Sequence, residues 1–435
     1  MPHEMVGVLG LLILLLLMFL KIPLGISFTL VGAAGIIVLK SYGVAIHALG
    51  LFPYSWSSMY SFSCLPMFVL LGLVAAQTGT AKDLYSATHQ WVGRLPGGLA
   101  MATLIVTAFF SAVSGSAVAS VATIATTCYP EMKRYGYEDS VSTGCITAGA
   151  SMDIMIPPSI PMIIYGMIAE VSIGTLFLAG FVPGILEVIV FGGIIYLMVK
   201  RNPSLAPLST EAPLSFMEKV KRSKGVLPTA IIFLLVFGGM YGGVFTPTEA
   251  GAMGVLVALI VSLAMKRLQG KVLKNALIQT ARLTGTVFMI LIGVAFFNTF
   301  ITFTGLPEAL SKWIVGIGLH PLIFLVVVLA VYFPLGALMD EISMMLLTVP
   351  FLLPTARALG IDPIYFGILI ILAWQVGFIA PPVAMLVFVT RSVLPDVPIG
   401  KIYKGCLPYL LGLAIVELLI LFVPAIVFIP LKFMK

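Results

Sequence analysis

Long apolar runs separated by short polar connections fill the chain. They fall at about 5–21, 23–40, 60–80, 98–130, 138–170 and 174–199, then at 227–245, 248–265, 284–303, 321–355, 362–392 and 402–430. A helix crossing a bilayer needs about 20 apolar residues, so most of these runs predict a membrane span. Between the two sets lies a polar connector carrying Pro203, Pro207 and Pro213 among mixed charges. It predicts a linker over 200–226 with an amphipathic surface helix around 214–224.

The two sets have the same shape. Pro23, Pro130, Gly136 and Pro157-Pro158 recur 224 residues later as Pro247, Pro354, Gly360 and Pro381-Pro382. Trp91 and Pro96 recur at nearly the same offset as Trp313 and Pro321. Turn and break residues repeating at a fixed spacing mark an internal duplication, with halves 1–199 and 227–435. If each half has five full spans and one segment that enters and leaves on the same side, the second half is inverted relative to the first. Inverted repeats are a signature of secondary transporters.

Composition narrows the class. The 435 residues are 60% apolar and 9% charged, and the mean hydropathy is +1.15. Soluble domains are about a quarter charged, so a soluble enzyme, a disordered scaffold and a one-span anchored domain are all excluded. The expected fold is an all-α polytopic membrane protein. The start, Met1-Pro-His-Glu, lacks a basic segment before its apolar run, so that run predicts a span rather than a cleaved signal.

The formal charge of +7 is distributed as topology requires rather than as a nucleic-acid surface, since no aromatic platforms alternate with it. With the N-terminus outside, 19 Lys and Arg lie on the inner side and 5 on the outer. The positive-inside rule therefore predicts outer (periplasmic) N- and C-termini. Cys64, Cys128, Cys145 and Cys406 show no CxxC spacing and read as buried small hydrophobes. His3, His47, His89 and His320 show no metal spacing, and neither a GxxxxGK[ST] loop nor HExxH occurs, so no cofactor is expected.

Two stretches in each half do not read as ordinary spans. Residues 98–130 are too long for one crossing and too short for two, with a small-residue break around Ser111–Ala117. Residues 321–355 match them, with a break near Gly336–Ser343. Both predict helical hairpins turning at mid-membrane, which is tolerated only where backbone is buried in protein or lines a cavity. The second stretches, 138–170 and 362–392, each carry a Pro-Pro inside an apolar run. Two adjacent prolines remove donors and break the helix. The freed carbonyls, with Ser and Asp oxygens, suit a hard cation such as Na⁺, and a half-helix N-terminus favours a carboxylate.

Embedded acids need a reason, because a carboxylate at mid-bilayer costs roughly 2.5–3.5 kcal/mol. Asp153 at the first break, with Asp340 and Glu341 at the second hairpin tip, are candidate ion ligands or proton carriers. Glu187 and Glu417 lie outside the breaks and read as helix–helix contacts or as pairing with a partner subunit. Thr246-Pro-Thr-Glu249 reads as a helix N-cap with capping-box geometry.

The run of motifs Ser114-Gly-Ser-Ala117, Pro130-Glu-Met-Lys-Arg-Tyr-Gly136, Ile156-Pro-Pro-Ser-Ile-Pro161 and Phe177-Leu-Ala-Gly-Phe-Val-Pro-Gly184 resembles the large membrane subunit (DctM/SiaM type) of TRAP transporters. Val171-Ser-Ile-Gly174, Thr246-Pro-Thr-Glu-Ala250, Leu359-Gly-Ile-Asp362 and Pro381-Pro-Val383 extend the resemblance over essentially the whole chain. It implies a bacterial inner-membrane, Na⁺-coupled importer of organic anions. It also implies a small four-helix membrane subunit and a periplasmic substrate-binding protein as partners, and an elevator domain of hairpins and broken helices moving on a scaffold in the lipid. One sodium site would lie at Ser114, Gly115, Ser116, Gly149, Ser151 and Pro157, with Asp153 beside it. The other would lie at Gly336, Asp340, Ser343, Gln375, Gly377 and Ala380. Candidate contacts to the anion are Ser116, Pro158, Ser159, Asp340, Glu341 and Pro382.

The chain departs from the family pattern in three places. Asp153 stands where glycine is usual, Ala380 where threonine is common, and Ala384 and Leu386 where glycine and asparagine are usual. Two rival functions remain at this level. A stand-alone ion-coupled anion permease of similar fold would need no binding protein. An intramembrane aspartyl protease could use Asp153 and Asp340, but no GxGD motif accompanies either.

Overall fold

The computed structural model describes residues 2–114, 116–207, 215–339, 341–381 and 384–433, and among them all regular structure is helical. The first half comprises α1 (His3–Phe19), α2 (Leu24–Leu39), α3 (Tyr42–Ser57), α4 (Cys64–Gln77), α5 (Thr80–Val92), α6 (Gly98–Ser114), α7 (Ala117–Arg134), α8 (Asp139–Ser151), α9 (Ile160–Ile168) and α10 (Ile173–Arg201). The linker contributes α11 (Phe216–Arg222). The second half comprises α12 (Leu227–Tyr241), α13 (Pro247–Ala264), α14 (Gly270–Thr304), α15 (Leu306–Gly316), α16 (Pro321–Leu338), α17 (Glu341–Ala358), α18 (Pro363–Ile379), α19 (Met385–Val393) and α20 (Ile399–Phe422).

Local chemistry sets many of these boundaries. Thr246 caps α13 in a reciprocal box: its hydroxyl accepts from Glu249 N, and Glu249 Oε2 accepts from Thr246 N. Ser215 and Glu218 form the same box at α11, inside the predicted surface helix. Asp362 caps α18 through Ile364 N and Tyr365 N, with Pro363 following as first helical residue. Gly136 and Gly360, at equivalent places after α7 and α17, both adopt left-handed φ values of +77° and +75°. Both second hairpin limbs thus stop at a residue for which that conformation is free of Cβ strain.

Three helices were not legible as apolar runs. α3 and α5 are too polar or too short to stand out, and α15 is amphipathic. α14 also begins well before the expected 284, because Lys271, Lys274 and Arg282 continue the helix instead of forming a loop. Its 35 residues reach about 52 Å at 1.5 Å per residue. That exceeds a hydrocarbon core of about 30 Å, so the basic first turns lie outside it.

α2 lies along α14, and α4 along α13. Small residues permit the close approach: a Cβ on Gly32 would sit 2.5 Å from the Phe296 carbonyl carbon. A second group of helices, α6–α10 with α16–α20, surrounds the two interrupted segments. Several ties gather basic segments at one end of the molecule. Arg267 pairs with Asp83, Trp91 Nε1 donates to Ser223 Oγ at 2.9 Å, and Lys401 Nζ meets Asp139 Oδ2 at 2.9 Å. At the other end Arg357 Nη2 donates to Ala169 O at 2.7 Å.

Candidate functional site

Two pairs of consecutive helices pack against each other beside the interrupted segments. One pair is α6 with α7, and the other is α16 with α17. Ser116 caps α7 by accepting from Ala119 N at 3.4 Å. Just below, Ser111 Oγ donates to Ser120 Oγ at 3.3 Å, clasping the two limbs. In the second hairpin the hydroxyls of Tyr332 and Thr348 are bonded. Tyr332 also stacks on Trp374 of α18, with ring centroids 6.1 Å apart. Gly115, Asp340 and Pro382 lie outside the described residues, as do the side chains of Ser114 and Glu341.

Both Pro-Pro segments interrupt their helices. In the first, α8 ends at Ser151, a 3-10 turn covers Met152–Ile154, and α9 resumes after Ser159. The Pro157–Pro158 bond is cis, and both prolines are buried. Asp153 sits in the turn and is 4% exposed. Ser159 is committed locally: it donates to Ile154 O at 2.6 Å and caps α9 by accepting from Met162 N. In the second, α18 ends at Ile379 and buried Ala380 turns extended (φ −84°, ψ 136°). Ala384 then takes a left-handed φ of +46° before α19 begins.

Each break is seated on a hairpin. The Met152–Ile154 turn packs on α6 and α7, and Gly149 faces Thr107 of α6, where a Cβ would lie 3.2 Å from the threonine Cβ. On the other side Gly377 meets Gly336 of α16 so closely that a Cβ on Gly377 would lie 2.3 Å from the Gly336 carbonyl carbon. Ser343 is fully buried in α17. The arrangement is also crossed: α19 packs on α7, and α17 packs on α9. α9 and α19 begin at these breaks, and α7 and α17 begin where their packed helix pairs turn back. Each therefore brings the partial positive charge of a helix N-terminus to the interior of the chain.

Sequence reasoning placed Ser151 and Gln375 in separate sets. The fold brings them together: Gln375 Nε2 donates to Ser151 Oγ at 3.2 Å and to Glu187 Oε2 at 2.8 Å, with all three residues fully buried. Thr147 of α8 and Thr390 of α19 add a hydroxyl pair at 2.7 Å. Glu187 is thus a helix–helix contact within this chain. Its pairing with a partner subunit is excluded by its complete burial in α10. It was missed as a site residue because it lies outside the breaks; the one available signal was that Ser151 and Gln375 are 224 residues apart.

The four cysteines are free and buried. Among the described residues no group of three His, Cys, Asp or Glu could hold a metal ion. A crevice of about 570 Å³ opens between the α3–α4, α9–α10 and α12–α13 connections, lined by Trp56, Tyr60, Phe62, Glu170, Ser172 and Thr248 among others. None of the described candidate ion or anion residues lines it.

Residues 11–426 match the family model of the tripartite ATP-independent periplasmic transporter, DctM component. The chain is 32% identical to the C4-dicarboxylate TRAP transporter large permease protein DctM of Pseudomonas aeruginosa, over 92% of each chain. It is 30% identical to the sialic acid TRAP transporter large permease protein SiaM of Vibrio cholerae, over 94% of each. The isethionate TRAP transporter permease protein DctMQ of Oleidesulfovibrio alaskensis is 28% identical, over 94% of this chain and 64% of that protein. Among solved structures, the Alcanivorax borkumensis YdaH transporter shares the fold with a TM-score of 0.53 at 15% identity, covering 88% of this chain and 89% of that one. The chain belongs to the DctM family: it is the large permease subunit of a TRAP transporter, an integral membrane protein and not an enzyme.

Proposed function

We propose that the chain carries an organic acid anion inward across a bacterial inner membrane, coupled to Na⁺, by an elevator movement of the hairpins and broken helices. The relatives named for C4-dicarboxylate, sialic acid and isethionate bound the substrate class: a small anion bearing a carboxylate or sulfonate. A periplasmic binding protein delivers it, and a small four-helix membrane subunit completes the complex. The two halves act as inverted repeats with both termini on the periplasmic side.

One observation carries this reading. Each of two buried, interrupted helices faces its own helical hairpin, and the pair is joined by the Gln375–Ser151 bond. Interrupted helices free carbonyl oxygens, and hydroxyl and amide oxygens beside them are the donors a hard cation takes. The first sodium position lies at Ser114, Gly115, Ser116, Gly149, Ser151 and Pro157, and the second at Gly336, Asp340, Ser343, Gln375, Gly377 and Ala380. No Lys or Arg belongs to either set, so helix N-termini and backbone N–H groups supply the positive field for the anion.

The test is reconstitution with a small membrane subunit and a periplasmic binding protein from the same organism. Uptake of a radiolabelled anion that the binding protein retains should require an inward Na⁺ gradient and that protein. Uptake independent of Na⁺ would overturn the coupling. Uptake without binding protein would favour a stand-alone anion permease.

A further inference from the structure

The end of α8, the last turns of α18 and the middle of α10 meet at Ser151, Gln375 and Glu187. Ser151 donates its hydroxyl proton to Ala148 O at 2.8 Å, which leaves it only lone pairs for any other partner. The side-chain amide of Gln375 must therefore present its nitrogen to Ser151, at 3.2 Å. The same nitrogen gives its other hydrogen to Glu187 Oε2 at 2.8 Å. With both N–H bonds used, the orientation of the amide is fixed. Its carbonyl oxygen, Gln375 Oε1, is buried with no hydrogen-bond partner. A buried acceptor left in that state is costly and uncommon, and a desolvated amide oxygen is what a hard monovalent cation coordinates.

We propose that Glu187 is a positioning residue for ion binding: by taking the amide nitrogen of Gln375 it turns the carbonyl oxygen toward the cation, and through Gln375–Ser151 it links the two breaks. This rests on the sodium reading given above and adds to it a residue on α10, outside both breaks. The role requires an acceptor oxygen at position 187. Glu187→Gln keeps one in its own amide, whereas Glu187→Leu keeps the bulk and loses the oxygen.

The chain purified in detergent is melted over a series of NaCl concentrations, with choline chloride holding the ionic strength constant. Wild type is expected to show saturable, Na⁺-specific stabilisation. Glu187→Leu raises the half-saturating Na⁺ about tenfold, the worth of one hydrogen bond, while Glu187→Gln stays within about threefold of wild type. Equal half-saturation in wild type and Glu187→Leu overturns the proposal and leaves the sodium reading intact. Glu187→Gln as impaired as Glu187→Leu also overturns it, because the carboxylate itself would then be the ligand. No Na⁺-specific stabilisation of wild type removes the sodium reading and the proposal together. Ser151→Ala probes the same amide from its other side in case Glu187→Leu does not fold: unchanged half-saturation there counts against the proposal.

Discussion

Gly336 and Gly377 touch backbone to backbone, so the second hairpin lies directly against its broken helix with no side chain between them. A Cβ on Gly377 would fall 2.3 Å from the Gly336 carbonyl carbon and 2.4 Å from its oxygen. Backbone on both sides cannot yield as a flexible side chain can. Gly377→Ala should therefore lower the melting temperature, at a cost of about 1–3 kcal/mol, and should abolish uptake in proteoliposomes. An alanine variant with wild-type melting and uptake would show that the hairpin is not seated in this way.

Ala384 presents the opposite case. Its φ of +46° and ψ of 72° place a Cβ-bearing residue in a region that costs roughly 1–2 kcal/mol for an L side chain. Ala384→Gly removes that strain and loses part of the gain to backbone entropy in the unfolded chain, about 0.5–1 kcal/mol. The expected net effect is a stabilisation of up to about 1 kcal/mol, read as a raised melting temperature. A fall would mean that the Ala384 methyl, which is fully buried, contributes more in packing than it costs in strain.

Asp153 is buried in the turn beside Ser151. If it adds a carboxylate to the first ion position, Asp153→Asn should shift the Na⁺ dependence of uptake while leaving the fold intact. Wild-type Na⁺ dependence in the Asn variant would remove Asp153 from ion coupling.

The Asp83–Arg267 pair ties the start of α5 to the α13–α14 connection. Arg267 also donates to Thr78 O at 3.3 Å. The Asp83 carboxylate holds the Arg267 guanidinium above its usual pKa. The Arg267 side chain is 36% exposed and that of Asp83 22%, and pairs of that kind contribute about 0.2–1 kcal/mol. Arg267→Ala should lower the melting temperature by an amount in keeping with that range, and the difference from wild type should shrink in high salt. A loss that is large and insensitive to salt would point to packing of the arginine stem instead.

The interrupted segments were readable from sequence because their cause is local. A proline removes its own donor whatever surrounds it, which is why both Pro-Pro stretches were found and why α9 and α19 begin where they do. The Thr246–Glu249 and Ser215–Glu218 boxes are local for the same reason. The start of α14 was not readable, since a basic stretch beyond the hydrocarbon core is as compatible with helix as with loop.

Sequence alone identifies the chain as a membrane permease and places the breaks in its helices. Apolar run length, charge placement and proline pairs each act within a few residues, and the family motifs run the full length. The tertiary structure alone decided which polar groups share a site. In a bilayer the lipid-facing and interior faces of a helix are both apolar, so an uninterrupted run such as α10 carries no pattern to show which way Glu187 points. Only the packing of α10 against α18 sets its partner, and only the stacking of the two halves brings Ser151 to Gln375.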